Sequence, residues 1–385
     1  MNKNLLILSL ALIFSQFSFS QTPTLDWAFS LPNTTSAGQE WGTDIAIDNQ
    51  ENIYLVGNME FKEIDIDPSP AMSTLNAIST GVVIASYDSS GTFRWGFNLP
   101  GTNDNLGYGI ATSPNQDFIY VVGSFDSNTD FDPSPNNVIL TPVNFATKKI
   151  FIAKYDTLGN YVWAFNIGGD RDCEAYDIAV SHTGSLYITG YVSRPTSGGV
   201  DFDPSGNINI LTPTSNEDIF VAKYSSLGDY EWAFLVGNNG DDRGKTIIQT
   251  QDGGYAVLGN VQSTDGDILN KTNDSFDYWL LKFDSKNALQ WQKTYGGSDF
   301  DSGNSIIQTT DGGYAILGSS QSSDGDVTEN NGFIDFWILK LDASGTITWE
   351  KSFGFSGAEN GFSIIQTKDN GFLLTGVLDV TSSGG

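Results

Sequence analysis

The sequence is poor in the residues that most often build disulfides and catalytic centres. Its 385 residues include one cysteine, Cys173, and one histidine, His182. One cysteine cannot form an internal disulfide, so stability must come from a hydrophobic core, which a chain of this length can bury. Cys173 is therefore interpreted as a packing residue. A Ser-His-Asp triad or a histidine-ligated zinc site would need His182, which lies in a predicted turn, so neither is expected.

Basic residues are also scarce. The chain has 18 lysines and arginines against 46 aspartates and glutamates, which gives a net charge of -28. Such a surface repels phosphate backbones and anionic lipids, so we expect no nucleic-acid partner. Strong acidity favours solubility and the binding of divalent cations instead.

Long apolar runs are absent except at the N-terminus. Lys3 is followed by an almost continuously apolar run from Leu5 to Phe14, and small residues precede Gln21. This pattern predicts a signal peptide over residues 1–20 and a mature chain from Gln21. No run approaches the about 20 apolar residues of a membrane helix, so we expect no membrane insertion and a secreted or bacterial cell-surface protein.

Internal repetition is the strongest feature of the sequence. Tryptophans recur at spacings of 68, 68, 69, 59 and 58 residues, at Trp27, Trp95, Trp163, Trp232, Trp291 and Trp349. Glycines that end apolar runs keep the same spacing, at Gly57, Gly123, Gly190, Gly259, Gly318 and Gly376. Each unit has four short segments rich in β-branched and aromatic residues, without a helical period. The fold class predicted is all-β, a β-propeller of four-stranded antiparallel blades.

The repeats also predict the domain organisation and the role of the tryptophans. Residues 21–385 form one propeller domain of five complete repeats and a partial sixth, which ends after two strands. Since a propeller closes on complete blades, we expect the chain to be truncated. Each tryptophan should wedge against the neighbouring blade, where a flat ring buries a large area.

Two segments carry a resemblance to a known family. Residues 151–163 read Phe-Ile-Ala-Lys-Tyr-Asp-Thr-Leu-Gly-Asn-Tyr-Val-Trp, and residues 220–232 read Phe-Val-Ala-Lys-Tyr-Ser-Ser-Leu-Gly-Asp-Tyr-Glu-Trp. Together with Asp-Phe-Asp-Pro-Ser at Asp130 and Asp201, they resemble the secreted bacterial seven-bladed β-propeller repeat family. The resemblance covers most of residues 25–295. It implies a propeller and export, with a sorting domain often following, but no activity.

The connections between strands predict which end of a blade is equipped to bind. Turns between the first and second strands and between the third and fourth strands are short, so the long acidic connections should share the other end. Pairs of aspartates recur there, at Asp65, Asp67, Asp130, Asp132, Asp201, Asp203, Asp265, Asp267, Asp324 and Asp326. They are candidate Ca²⁺ ligands, since hard cations take six to eight oxygens. The alternative is that each aspartate caps a turn.

A lysine recurs in the third strand of the later repeats, at Lys154, Lys223, Lys282 and Lys340. A lysine in a half-buried strand is expected to meet a repeated carboxylate. The alternative is a shared anion site.

Two functions are weighed. The first is a non-enzymatic secreted propeller that binds glycan or protein through its acidic loops, assisted by calcium. The alternative is a polysaccharide hydrolase or lyase, which needs two carboxylates about 5–10 Å apart in a pocket with one desolvated. The sialidase repeat Ser-x-Asp-x-Gly-x-Thr-Trp is not matched, because the interval from Asp156 to Trp163 is longer.

Overall fold

The protein is built from antiparallel β-sheets. The computed structural model describes residues 27–28, 39–60, 63–142, 144, 147–214, 216–269, 271 and 273–378, and the expected signal peptide lies outside them. These residues form five four-stranded sheets and several two-stranded ones. Within these ranges there is no helix long and apolar enough to cross a membrane. The all-β fold of repeated four-stranded blades is confirmed.

The described residues from Trp27 to Val236 form one compact unit of three blades. Blade 1 contains β1 (Glu40–Ile47), β2 (Ile53–Glu60), β3 (Glu63–Asp65), β4 (Thr74–Asn76), β5 (Thr80–Tyr87) and β6 (Phe93–Leu99). Blade 2 contains β7 (Leu106–Thr112), β8 (Phe118–Phe125), β9 (Thr129–Asp130), β10 (Ile139–Leu140), β11 (Lys149–Asp156) and β12 (Tyr161–Ile167). Blade 3 contains β13 (Cys173–Val180), β14 (Leu186–Ser193), β15 (Val200–Asp201), β16 (Ile210–Leu211), β17 (Glu217–Tyr224) and β18 (Tyr230–Val236).

Residues from Gly237 onwards belong to a second compact unit. Blade 4 contains β19 (Asp242–Gln249), β20 (Tyr255–Val261), β21 (Asp277–Phe283) and β22 (Leu289–Tyr295). Blade 5 contains β23 (Asp301–Gln308), β24 (Tyr314–Ser320), β25 (Asp335–Leu341) and β26 (Ile347–Phe353). The last strands, β27 (Asn360–Gln366) and β28 (Phe372–Val377), pair as a hairpin.

Every blade has the same sheet order, in which the first, second, third and fourth long strands follow one another as antiparallel neighbours. In blades 1, 2 and 3 the two short strands form a separate hairpin between the second and third long strands. Antiparallel order places the first-to-second and third-to-fourth turns at one end of each blade, which we call the turn end. The connections between second and third strands and between successive blades lie at the opposite end, the loop end.

The repeated glycines are explained by a bulge in each first strand. In β7 the pairing register with β8 shifts between Gly107 and Gly109, and the other first strands shift at the equivalent place. The bulge brings the first strand close to the second. A Cβ atom on Gly123 would lie 2.0 Å from the carbonyl oxygen of Leu106 and 2.7 Å from the Phe151 ring. Only glycine fits such an approach.

Within each unit, the repeated tryptophans pack on the following blade, as predicted. The Trp95 ring of blade 1 lies 3.0 Å from the Cβ position of Gly159, a turn glycine of blade 2 with a φ of +84°. Its indole N–H donates to the Thr157 carbonyl at 3.0 Å. In the second unit, the Trp291 ring lies 2.8 Å from the Cβ position of Gly345. The wedge role of these rings is confirmed, and a side chain on either glycine would displace them.

The main cores lie between neighbouring blades and draw on both the second and the third strands. All residues of β5, β21 and β25 are buried. Cys173 is fully buried within the core of blades 2 and 3, and burial raises the pKa of its thiol to about 11. His182 lies exposed in the turn between β13 and β14. Both residues occupy the places that the sequence predicted for them.

Candidate functional site

The acidic pairs of blades 1, 2 and 3 cap the hairpins at the loop end. Asp130 Oδ1 accepts hydrogen bonds from the backbone N–H groups of Asp132 at 3.1 Å and Val138 at 2.8 Å. Asp132 Oδ1 then accepts the N–H of Ser134 at 2.9 Å. The equivalent bonds recur for Asp65 and Asp67 in blade 1 and for Asp201 and Asp203 in blade 3. These carboxylates hold the hairpin backbone in one shape.

The acidic pairs of blades 4 and 5 bind the connection that leads into the first strand of their own blade. Asp324 Oδ1 accepts the N–H of Ser298 at 2.7 Å, and Asp326 Oδ2 accepts the N–H of Gly296 at 3.2 Å. In blade 4, Asp265 accepts a hydrogen bond from the Asn239 amide, and Asp267 accepts the N–H of Gly237 at 3.5 Å. These aspartates therefore tie neighbouring loops together.

The structure brings the two members of each pair together but assembles no larger set. In the described residues, no group of three or more His, Cys, Asp or Glu side chains is placed to hold a metal ion. The turn-capping role is present in the structure. Ca²⁺ binding by the ten aspartates stays a prediction, and a protein-derived shell would need more oxygens than one pair supplies.

Buried lysines provide cations at the loop end, which sequence analysis missed. Lys149 Nζ donates to the carbonyls of Thr147 at 3.2 Å and Arg171 at 3.1 Å. Lys271 Nζ donates to the carbonyl of Ser275 at 2.6 Å and lies 3.4 Å from Asp277 Oδ2. Each ammonium is enclosed by oxygens, as a bound metal ion would be. Because most of these oxygens are backbone carbonyls, no side-chain motif reveals the arrangement.

Exposed aliphatic side chains stand beside the acidic turns at the loop end. In the first unit they are Met72 (69% exposed), Ile78 (72%), Ile139 (56%), Ile208 (76%) and Ile210 (52%). In the second unit, Leu269 and Phe333 are exposed in the equivalent connections. Leu158 and Leu227 are also exposed, in the third-to-fourth turns of blades 2 and 3, so exposed apolar groups are more numerous at the loop end but not confined to it. Large apolar groups that recur in several blades are typical of a contact surface. The sequence signal, apolar residues inside Asp- and Asn-rich loops, was present but was not used.

At the turn end, three of the four repeated lysines meet a carboxylate, as expected. Lys223 Nζ lies 2.8 Å from Glu231, Lys282 Nζ 2.8 Å from Asp252, and Lys340 Nζ 2.9 Å from Asp311. For Lys154 the expectation is wrong. Its Nζ donates to the Ser226 carbonyl at 2.8 Å and lies 3.9 Å from the centre of the Phe118 ring.

Two cavities lie at the turn end, one in each unit, and each is lined by a repeated lysine. The cavity beside Lys340 has a volume of about 320 Å³ and contains Asp311 and Asp342. Hydrogen bonding by Thr309 and the ion pair with Lys340 lower the pKa of Asp311 to about 2, and hydrogen bonds from the Thr346 and Ser344 backbone also lower the pKa of Asp342. Both carboxylates are therefore ionised at neutral pH. A hydrolase acid must stay protonated, so this pair does not divide the acid and base roles.

A second pair of carboxylates, Asp44 and Asp177, contains one member with a raised pKa. Asp44 in β1 accepts the N–H groups of Ile110 at 2.9 Å and Ile45 at 2.8 Å. Burial and the charge of Asp177 raise the pKa of Asp44 to about 7. Neither carboxylate lines the cavities beside Lys154 and Lys340. Asp44 links the first strands of blades 1 and 2, which is a structural role.

Comparison with known proteins identifies repeat proteins of the same kind. An uncharacterized WD repeat-containing protein of Acanthamoeba polyphaga mimivirus is 29% identical over 192 residues, and the regulatory protein FlaEY of Caulobacter vibrioides is 27% identical over 190 residues. Each match covers 48% of this chain but only 14% and 19% of those longer proteins. No family model matches the chain.

Two solved structures cover most of this chain at low sequence identity. A protein of unknown function from Bacteroides caccae covers 84% of this chain with a TM-score of 0.41 and 9% identity, over 86% of its own length. A neuraminidase-like protein of A/little yellow-shouldered bat/Guatemala covers 90% of this chain and 99% of its own, with a TM-score of 0.39 and 8% identity. Identities this low carry no information about function. The chain is similar to repeat proteins of the β-propeller type.

Proposed function

We propose that this chain is a non-enzymatic, secreted or cell-surface propeller of the bacterial repeat type that binds a protein ligand through the loop ends of its blades. The observation that carries the proposal is the recurrence of exposed aliphatic residues beside rigid acidic turns. Capped hairpins hold residues such as Ile139 and Ile210 in fixed positions, so little conformational freedom is lost on binding. Apolar centres with a polar rim are typical of protein interfaces.

The chemistry of the loop end in blades 1, 2 and 3 favours protein over glycan. Sugars stack on exposed aromatic rings, whereas the hairpins of blades 1, 2 and 3 expose mainly methionine and isoleucine. The net charge of -28 predicts a ligand with a basic surface, since complementary charge speeds association and orients the encounter. The two cavities at the turn end do not supply the acid–base pair that the alternative hydrolase or lyase requires.

Site-specific crosslinking tests the proposed surface. A photoreactive phenylalanine derivative is placed at Ile208 at the loop end, and at Leu227 at the turn end of the same blade as the matched control. Both side chains are exposed, at 76% and 74%, so the two positions are equally accessible to a binding partner. In the cells that make the protein, adducts with a basic protein should form at position 208 and not at 227. Equal labelling at both positions, or labelling at position 227 alone, would contradict the proposal. If the protein bound a glycan on an array and Ile208→Ser abolished that binding, the ligand of the loop end would be a glycan instead of a protein.

Export and calcium need separate measurements. N-terminal sequencing of the protein from the medium or cell surface should begin at Gln21, and an uncleaved intracellular protein would contradict export.

If Ca²⁺ assists the loops, added CaCl₂ should raise the melting temperature of the folded protein, and Asp130→Asn with Asp132→Asn should reduce that shift. An unchanged melting temperature would end the calcium part of the proposal and leave the protein-binding part intact.

A further inference from the structure

The cavity beside Lys154 differs from the equivalent sites of the other blades in its charge. Lys154 is only 4% exposed, and its Nζ reaches the edge of a cavity of about 310 Å³ between blades 2 and 3. The walls include Ser113 and Asn115 from blade 2 and Thr183 from blade 3. They carry hydroxyl and amide groups on both sides of the ammonium.

Comparison of the repeats shows which group is replaced. Asp252 and Asp311 lie three residues before the start of the second strand and bind the lysines of their blades. Counted forward from the last paired residue of the first strand, Gln249 in blade 4 and Thr112 in blade 2, the equivalent residue is Asn115. The turn of blade 2 is one residue longer and also contains Asp117, which accepts a hydrogen bond from Asn115 Nδ2. In blade 3 the lysine binds Glu231, which precedes the repeated tryptophan, and the residue at that place in blade 2 is Val162. Both positions that supply a carboxylate elsewhere are therefore neutral in blade 2.

A buried ammonium with one carbonyl acceptor is short of negative charge. Burial lowers the pKa of Lys154, and no neighbouring carboxylate opposes this effect. The rings of Phe118 and Tyr120, 3.9 Å and 5.2 Å from Nζ to their centres, supply only a weak attraction. An ionised group needs a counter-charge when it leaves water, so an anion entering the cavity gains a strong partner.

We propose that the cavity beside Lys154 binds a small hydroxylated carboxylate, of the size and chemistry of a uronic acid. The carboxylate takes the place that Asp252 and Asp311 fill in blades 4 and 5, against the lysine ammonium. The hydroxyl groups of the ligand meet Ser113, Asn115 and Thr183, and the cavity volume accommodates one sugar ring. The site lies at the turn end, so it is independent of the protein-binding surface proposed for the loop end.

Ligand-observed NMR on the mature full-length chain tests this site with defined probes. Sodium glucuronate should show saturable binding, whereas glucose lacks the carboxylate and acetate lacks the hydroxyl groups, so both should bind at least about tenfold more weakly. The decisive variant is Asn115→Asp, which restores the carboxylate of blades 4 and 5 and should weaken glucuronate binding at least about tenfold. Because Asn115 Nδ2 donates to Asp117 Oδ2 at 2.6 Å, this variant also loses a hydrogen bond, and its folding is checked by its melting temperature. The matched control is Lys223→Met, at the equivalent lysine of blade 3, which should leave binding unchanged.

The outcomes separate the proposal from general effects. Lys154→Met should abolish binding, and if that variant fails to fold, Asn115→Asp still decides, since it retains the lysine. No saturable binding of glucuronate by the wild-type protein would overturn the proposal. Equal affinity of the wild-type and Asn115→Asp proteins, or equal binding of glucuronate and glucose, would overturn it as well.

Discussion

The glycine of the second strand should be the least replaceable residue of each blade, and Gly123→Ala tests this. A Cβ atom at Gly123 would lie 2.0 Å from the Leu106 carbonyl oxygen and 2.7 Å from the Phe151 ring. Ordinary contacts of this kind are nearer 3.5–4.0 Å. The obstacle is backbone held by a bulge, so it cannot rotate away as a flexible side chain would.

The expected loss follows from the geometry. Overpacking of a buried site costs about 1–3 kcal/mol, and a clash with fixed backbone belongs at the upper limit, so we expect about 3 kcal/mol. The unit that contains Gly123 ends at Val236. For a unit of about 200 residues, a loss of about 3 kcal/mol lowers the melting temperature by about 6–12 °C.

Gly206→Ala is the matched control for the same chemical change in the same unit. No atom lies within 4 Å of a Cβ placed on Gly206, which lies in a hairpin turn of blade 3. Its replacement should be neutral or stabilise by about 0.4–1 kcal/mol, because alanine restricts the unfolded chain. Both variants are compared by thermal unfolding and by urea unfolding. The free energies of unfolding are compared only if the dependence on urea concentration is the same for both. If they melt within 1–2 °C of each other (about 0.5 kcal/mol), the bulge does not explain the repeated glycine.

Two further predictions concern buried charge. Lys271→Met should destabilise the second unit, by about 3 kcal/mol at pH 8, because the Asp277 carboxylate then stays buried without its cation. Burial raises the pKa of Asp277 to about 7, so the loss should be smaller at pH 6, where the group is protonated. Urea unfolding at both pH values measures the loss, and the double variant with Asp277→Asn should recover part of it. Asp44→Asn should raise the melting temperature at pH 8 but not at pH 4. The reason is that the pKa of Asp44 is about 7 in the folded state against 3.8 unfolded, so its ionisation costs stability as pH rises between these values. A shift equal at both pH values would mean that the charge is not the cause.

The fold could be predicted because its constraints fall on residue types that are easy to recognise. Tryptophan is required at the contact between blades and glycine at the bulge, each for a local steric reason. The spacing of these residues therefore gives the length of each repeat. The strand limits depend on pairing as well as on residue type: β8 extends over Phe118–Phe125, past its run of apolar residues. Pairing with the third strand, which the sequence does not show, extends the strand beyond its apolar residues.

The candidate site was predicted only in part. The acidic loops were located correctly at one end of each blade, but the pattern could not decide between capping and metal binding. That choice depends on whether oxygens from separate loops converge, and convergence is set by tertiary structure. The same holds for Lys149 and Lys271, whose partners are mostly carbonyl oxygens of distant or irregular backbone.

In a repeat protein, equivalent positions of the blades can be compared with one another, and Lys154 is an example. Each blade must solve the same packing problem, so positions at which all blades agree serve the fold, and a single departure needs another reason. Blade 1 avoids a buried ammonium altogether: Ser86 stands at the lysine position and accepts a hydrogen bond from Arg94 at 2.8 Å. Blade 2 keeps the lysine but has no carboxylate at either partner position. Since an unpaired buried charge opposes folding and a serine is compatible with the blade, the retained Lys154 is better explained by a ligand than by packing.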